Sequence, residues 1–323
     1  MRIVKKSAVT KAGAALAGVL AAATAATAAT AVAAPAAQAQ QGAACPGTAV
    51  FQTDGYGHGE TLTNWNDSAF NANPPAGWDI VQVPYEDGVF PGLDRLALDE
   101  AVAGGAAALD GAVRDFHASC PGSRLVLSGY SEGALVAGDV LETLARTNDI
   151  PHHLVHGVLY GNPRRAFGDG GAGGVAGGIE TNLPTILPGV TMRGGHDFGD
   201  LAVHDVCNEN DGICNSTNMI TNLAAFANGL VGYASGDHGY VLDPARDLGS
   251  GQTLHRQPQR VPHGAPLPIP VGTPWQIQQL LGDNVGARDD VRTARDQLAG
   301  LVGQDTLDQL ARNSPWYRLI QEA

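Results

Sequence analysis

The chain has 323 residues, of which 44% are hydrophobic and 16% charged, and its formal net charge is −13 at pH 7. An acidic surface repels nucleic acid and anionic lipid headgroups at long range, so both are excluded as electrostatic partners. The length is within reach of one α/β domain with insertions.

The first 39 residues have the pattern of a secretory signal peptide. Four cations between Arg2 and Lys11 precede a long uncharged run rich in Ala and Thr, which ends at Ala37-Gln38-Ala39. This small-x-small ending suits cleavage before Gln40. A retained membrane anchor is the alternative, but an Ala/Thr run spans a bilayer poorly. We expect a secreted protein without stable membrane insertion; the loss of four positive charges takes its net charge from −13 to −17.

The cysteines favour disulfides over a metal site. The sequence has four cysteines, at positions 45, 120, 207 and 214. An even number in an exported chain predicts two disulfides, for which three connectivities are possible. Zinc would need tighter Cys/His clustering, so no metal is expected.

The first half of the chain alternates between strand and helix patterns. Short apolar runs bounded by Gly, Pro or Asn predict strands, and apolar residues at helical spacing predict helices. In chain order these are strands at Thr48–Thr53 and Trp78–Pro84, a helix along Val102–Phe116, a strand at Arg124–Ser128, a helix at Glu132–Arg146 and a strand at Leu154–Tyr160. This βαβ rhythm predicts a mostly parallel sheet flanked by helices.

The second half is less regular. Residues 168–178 include seven glycines and are interpreted as a mobile surface loop. A Pro-rich tract, Pro258–Pro270, separates a last segment in which Val291, Ala294, Leu298 and Leu301 form a helical stripe that Leu307, Leu310 and Trp316 continue. The predicted organisation is therefore a signal peptide at 1–39, an α/β domain at 40–265 and a helical C-terminal extension at 266–323 that packs on it.

A glycine-flanked serine lies between a strand and a helix. Gly129-Tyr-Ser131-Glu-Gly133 matches the Gly-x-Ser-x-Gly nucleophile elbow, whose turn is too tight for flanking side chains. The turn exposes the serine hydroxyl, and the next backbone N–H faces the position where an oxyanion would form. A plain strand-to-helix turn is the alternative.

A serine nucleophile needs a base and an acid, which follow it in the order acid then histidine in this architecture. Asp211 stands out because it lies between Cys207 and Cys214; a simple Asx turn at Asp211-Gly212 is the alternative. His238, between glycine-rich neighbours, is the predicted base. His263 and His255 also follow Asp211, and His263 is the stronger competitor. His196-Asp197 and His204-Asp205 are interpreted as solvated loop residues.

The segment CPGSRLVLSGYSEGALVAGDVL, at 120–141, resembles the cutinase family and its actinobacterial relatives, the PE-PPE-type serine hydrolase domains. Cutinases also carry Cys-x3-Asp-x2-Cys around the catalytic acid, matched by Cys207, Asp211 and Cys214. The segments VPYEDGVFPGLDRLALDEAVAGGAAALDGAVRDF and VLYGNPRR are more similar to the PE-PPE-type domains.

The resemblance implies a cutinase-like α/β hydrolase that cleaves carboxylic esters without a cofactor. It assigns Ser131 as nucleophile, Asp211 as acid and His238 as base, with oxyanion donors at the Glu132 N–H and near Thr53. It also implies disulfides Cys45–Cys120 and Cys207–Cys214. Glu132 departs from the family, because cutinases have Gln there, and the helical extension has no cutinase counterpart.

The predicted function is a secreted, monomeric serine esterase acting on small esters or lipids with short-to-medium acyl groups. Association with the cell envelope is the alternative to free secretion. An acyltransferase to sugar or cell-wall hydroxyls would share the same acyl-enzyme. A catalytically inactive surface-binding module is the alternative from another class.

Overall fold

Six parallel strands form the centre of the computed structural model, which describes residues 45–167, 177–281 and 303. The strands are β1 Thr48–Thr53, β2 Trp78–Gln82, β3 Arg124–Tyr130, β4 Val155–Tyr160, β5 Ala202–Asn208 and β6 Gly251–His255. They lie side by side in the order β2-β1-β3-β4-β5-β6. The order reverses between β1 and β3, and ligands of open α/β sheets bind at such a switch point, beyond the carboxyl ends of the strands.

The α-helices of the described residues are α1 Thr63–Asn66, α2 Ala69–Ala72, α3 Leu98–Ser119, α4 Glu132–Arg146, α5 Leu223–Ala234 and α6 Pro274–Leu281. Short 3₁₀ turns cover His152–Leu154 and Ile179–Thr181. Among the described residues, no helix combines the length and apolar composition needed to cross a bilayer. The predicted α/β class, a parallel sheet flanked by helices, is confirmed.

Side chains of the central strands alternate between two apolar layers. Phe51 and Leu127 belong to the layer that α3 and α4 cover, whereas Val50 and Val126 belong to the layer that includes Trp65 of α1. All five side chains are fully buried. Each contributes about 1.5–3 kcal/mol by leaving water, so the strands that carry the site are fixed from both sides.

Several predicted boundaries shift by a few residues. β2 ends at Gln82, because Pro84 has no N–H to extend the ladder. β3 runs on to Tyr130, and β4 starts at Val155 after a 3₁₀ turn. The helix predicted along Val102–Phe116 extends over the whole of α3.

Two disulfides join the cysteines in the pairing that the resemblance implies. Cys45, just before β1, is bonded to Cys120 at the end of α3. Cys207, in β5, is bonded to Cys214 seven residues later. Disulfides persist in oxidising compartments, so both bonds are suited to an extracellular protein.

Residues at the start of α6 form hydrogen bonds to the segment between β4 and β5. In α6, the Trp275 indole N–H donates to the Met192 carbonyl at 2.8 Å. Just before α6, the Thr273 hydroxyl donates to the Thr181 carbonyl at 2.8 Å. The helical stripe from Val291 to Trp316, the signal peptide and most of the Gly-rich segment lie outside the described residues.

Candidate active site

Ser131 lies in a strained turn between β3 and α4. Its φ of 56° and ψ of −119° are unusual for a residue with a side chain. A Cβ on Gly129 would lie 2.1 Å from the Gly133 carbonyl oxygen, and one on Gly133 would lie 2.4 Å from the Thr53 carbonyl oxygen. Glycine is therefore required on both sides of the serine, which gives the sequence pattern its physical cause.

A chain of hydrogen bonds runs from Ser131 through His238 to Asp211. The His238 Nε2 atom lies 2.8 Å from the Ser131 hydroxyl, and His238 Nδ1 lies 2.7 Å from Asp211 Oδ2. Because the carboxylate faces Nδ1, that nitrogen carries the proton and Nε2 is the acceptor for the serine hydroxyl. The ring of the competitor, His263, is half-buried and lies near the Gly264 carbonyl instead.

Asp211 is held in a short loop after β5. Its Oδ1 atom accepts the Ile213 N–H at 3.0 Å, so the Asx turn is present together with the histidine contact. The loop packs on two glycines of α5: a Cβ on Gly229 would lie 2.8 Å from Gly212, and one on Gly232 only 1.9 Å from the Asn210 carbonyl oxygen. These helix glycines, together with the Cys207–Cys214 disulfide, fix the position of the fully buried Asp211 carboxyl group.

Three tyrosines surround the His238 ring. Tyr130 and Tyr233 each lie 5.2 Å from it between ring centroids, and Tyr240 meets it edge-on at 6.0 Å. The Tyr130 hydroxyl also donates to the His238 carbonyl at 2.8 Å. The imidazole therefore has little freedom to turn away from Ser131.

The two predicted oxyanion donors, at Glu132 and Thr53, differ in whether their protons are free. The Glu132 N–H, in the first turn of α4, has no acceptor within the described part of the chain. The Thr53 hydroxyl donates to the Gly133 carbonyl at 2.8 Å, so its proton is not free for a ligand. The next segment, Asp54–Tyr56, approaches Ser131 closely, because a Cβ on Gly55 would lie 2.9 Å from the Ser131 Cβ.

The Glu132 side chain points into the protein. It is 3% exposed, and its Oε1 atom accepts the Gly88 N–H at 3.2 Å. Burial raises the pKa of this carboxyl group to about 8, so it is mostly protonated at neutral pH. In this protonated form Glu132 resembles the Gln that cutinases have at this position, so the departure from the family pattern is small.

The interpretation of His196 and His204-Asp205 as solvated loop residues is wrong. His196 and Asp205 are about 5% and 4% exposed, and His204-Asp205 belongs to β5. The Asn162 side-chain amide donates to Asp205 at 2.8 Å. Burial raises the pKa of Asp205 to about 6 and lowers that of His196 to about 4, so the histidine is uncharged at neutral pH.

Asp139, Glu142 and His196 place their ligand atoms within 4.8 Å of one another, a spacing that could hold a metal ion. Arginines already neutralise the carboxylates, however. Arg164 lies 2.7 Å from Asp139 and 3.4 Å from Glu142, and Arg193 lies 2.6 Å from Asp139. We therefore interpret these side chains as a structural ion-pair network.

The chain is similar to one curated protein and to several solved structures. A protein of Corynebacterium glutamicum named Carboxylesterase Culp6 homolog is 35% identical over 136 residues, and the match covers 37% of this chain. The match covers 44% of that protein, so the chain spans less than half of its length.

The chain also matches two solved structures at 20% identity. The catalytic core of acetyl xylan esterase from Trichoderma reesei has a TM-score of 0.38, and the match covers 59% of this chain and 96% of that one. A cutinase-like protein from Cryptococcus sp. has a TM-score of 0.36, with 54% of this chain and 81% of that chain covered.

The Cutinase family model matches residues 69–234, slightly more than half of the sequence. The match includes the strand-turn-helix at Ser131 and the loop at Asp211. The chain belongs to the cutinase family.

Proposed function

We propose that this protein is a serine esterase that hydrolyses carboxylic esters through an acyl-enzyme. The observation that carries the proposal is the hydrogen-bonded chain Ser131–His238–Asp211, with distances of 2.8 and 2.7 Å, at a strained nucleophile turn. Membership of the cutinase family and the resemblance to a protein named a carboxylesterase support the same chemistry.

In the acylation step, Ser131 Oγ attacks the ester carbonyl carbon while its proton passes to His238 Nε2. The carbonyl π electrons move to the oxygen and form an oxyanion. Asp211 holds the Nδ1–H tautomer and stabilises the imidazolium. When the tetrahedral intermediate collapses, the C–O bond breaks and the imidazolium gives its proton to the departing alkoxide, which leaves as the alcohol.

The oxyanion needs donors that are already in place. The Glu132 N–H is one, since it follows the nucleophile and has no acceptor within the described residues. We assign the second donor to the backbone N–H of Asp54 or Tyr56, because the Thr53 hydroxyl donates to the Gly133 carbonyl and the Gly55 N–H donates to Asp54 Oδ1. Because the Glu132 side chain is mostly protonated at neutral pH, it adds little negative charge that would repel the developing oxyanion.

In the deacylation step, water replaces the alcohol. His238 Nε2 takes a proton from the water as its oxygen attacks the acyl carbon, and then returns that proton to Ser131 Oγ as the acyl C–O bond breaks. The products are the carboxylic acid and the free enzyme, so atoms and charges balance without a cofactor.

For the substrate we propose short-to-medium acyl esters, and for the location we propose export after removal of residues 1–39. The chain has 6% aromatic residues and a short apolar stretch at Leu183–Leu187, which suits short acyl groups better than long ones. A clear optimum at very long acyl chains in a panel of p-nitrophenyl esters would contradict the substrate proposal.

The decisive experiment uses a fluorophosphonate probe, which reacts covalently with activated serines. We expect the wild type to be labelled at Ser131 and to turn over p-nitrophenyl acetate or butyrate. Ser131→Ala should show neither result while its circular dichroism spectrum is unchanged. Absence of labelling and of turnover in folded wild-type protein, or full turnover by Ser131→Ala, would overturn the proposal.

A further inference from the structure

We propose that Tyr240 is a positioning residue that orients the Asp211 carboxylate. Its hydroxyl donates to the same negatively charged carboxylate oxygen as His238 Nδ1–H. The inference rests on the proposed function for its meaning in catalysis. Its structural basis, a third hydrogen bond to the acid, can be tested on the resting protein.

The Tyr240 hydroxyl contacts the same carboxylate oxygen as the histidine. Its oxygen lies 2.5 Å from Asp211 Oδ2, while His238 Nδ1 lies 2.7 Å from that atom. The other oxygen, Oδ1, accepts the Ile213 N–H. The carboxylate is thus held by three donors, and rotation about its Cβ–Cγ bond would break all of them.

Tyr240 donates a proton in this contact. Burial, and then the charge of the adjacent Asp211, raise the pKa of Tyr240 well above 10, so the hydroxyl keeps its proton across the working pH range. The same oxygen accepts the Asn208 N–H at 3.1 Å. With that acceptor site filled from β5, the hydroxyl proton points to the carboxylate.

This arrangement has two consequences for His238. A charge-assisted bond from a neutral donor stabilises the carboxylate and reduces the electron density that Oδ2 offers to Nδ1–H. It also prevents Oδ2 from moving away as the imidazolium forms. Removing the hydroxyl should therefore strengthen the Asp211–His238 bond in the resting protein and, at the same time, loosen its geometry.

Tyr160 provides a matched control. It is a fully buried tyrosine whose hydroxyl donates to a different carboxylate, Asp247 Oδ2, at 2.8 Å and accepts the Asp243 N–H at 3.0 Å. Its ring lies 6.1 Å from that of Tyr240, within the same aromatic cluster. Tyr160→Phe therefore removes an equivalent buried hydroxyl without changing the contacts of Asp211.

The test compares wild type, Tyr240→Phe and Tyr160→Phe by NMR and by kinetics. In the absence of substrate, we expect the downfield proton resonance of His238 Nδ1–H to move further downfield in Tyr240→Phe and to stay in place in Tyr160→Phe. With p-nitrophenyl butyrate, kcat should fall about tenfold in Tyr240→Phe with little change in KM. The acid limb of its pH–rate profile should also move to higher pH.

The outcomes separate this inference from the proposed function. An unchanged Nδ1–H resonance in Tyr240→Phe would overturn the positioning role, and so would an equal shift in both variants. A fall in kcat with an unmoved acid limb would indicate only a packing defect and would also overturn it. If wild-type protein showed no ester turnover, the proposed function would fail, whereas the resonance would still decide the role of Tyr240.

Discussion

Replacing Glu132 by glutamine should stabilise the protein in a pH-dependent way. The Glu132 carboxyl group is 3% exposed, and burial raises its pKa from 4.5 to about 8. Its Oε2 atom has no hydrogen-bond partner among the described residues. Glutamine has nearly the same shape, keeps an oxygen that can accept the Gly88 N–H, and carries no charge at any pH.

The sign of the effect follows from the two protonation states. Between pH 4.5 and about 8 the folded protein holds a proton that the unfolded chain has released, so the free energy of unfolding falls as pH rises. The slope approaches about 1.4 kcal/mol per pH unit, and the loss accumulated by pH 7 is on the order of 3 kcal/mol. The stabilisation is therefore complete below pH 4.5 and is lost as pH approaches 8. Glu132→Gln should avoid this loss.

Urea unfolding at pH 5 and pH 7.5 measures the difference. The stability advantage of Glu132→Gln should be about 1 kcal/mol at pH 5 and about 4 kcal/mol at pH 7.5. Glu60→Gln, at an exposed carboxyl group, is the control and should follow the wild type. If Glu132→Gln and wild type changed in parallel between the two pH values, the buried proton would not exist and the reasoning would be refuted.

Three further predictions concern the acid loop. Asp211→Asn should lower kcat/KM by about 10⁴-fold with an unchanged circular dichroism spectrum, because the amide favours the wrong histidine tautomer; a loss below tenfold would contradict its role. Gly232→Ala should lower both Tm and kcat, because the new Cβ would lie 1.9 Å from a carbonyl oxygen of the acid loop. Gly104→Ala is the control: a Cβ there meets open space in α3, so the substitution should be neutral or stabilising. Replacing Cys207 and Cys214 by serine should cost about 2–3 kcal/mol in urea unfolding and lower kcat as well; unchanged kcat would show that the loop holds its shape without the bond.

Local patterns were sufficient to predict the elements that carry the nucleophile. β1 and α4 begin and end where the sequence predicts, because each is an apolar run between clear breakers. The glycines around Ser131 are likewise explained by backbone contacts within a few residues of the chain and from β1. In these elements, local steric limits and the burial of apolar side chains both favour the conformation that the sequence pattern predicts.

The sequence did not predict β5 as a strand, and the reason is chemical. Its stretch Ala202–Asn208 places two polar residues, His204 and Asp205, next to each other, which breaks the apolar/polar alternation of a strand and is typical of a polar loop. The strand is stable because distant partners satisfy those side chains: Asn162 donates to Asp205, and His204 bonds to the Asp247 carbonyl. Partners more than 40 positions away cannot be recognised from local periodicity.

The contact between Tyr240 and Asp211 was hidden for a similar reason. The two residues are 29 positions apart, and each of them alone has an ordinary local explanation. The helix glycines at 229 and 232 gave a signal that could have been used, since glycine is disfavoured within a helix unless another backbone packs there. These two glycines therefore indicate that another backbone segment packs closely against α5.

The disulfide between Cys45 and Cys120 also determines how the protein responds to a protease. No lysine follows residue 11, so trypsin can cut the rest of the chain only after arginine. Arg95 is a strong target, because its side chain is 80% exposed and it lies in the irregular segment between β2 and α3. A cut there separates β1 from the nucleophile turn in sequence, yet the disulfide keeps both pieces covalently joined. A nicked molecule would therefore run as one band in a denaturing gel until a reducing agent is added.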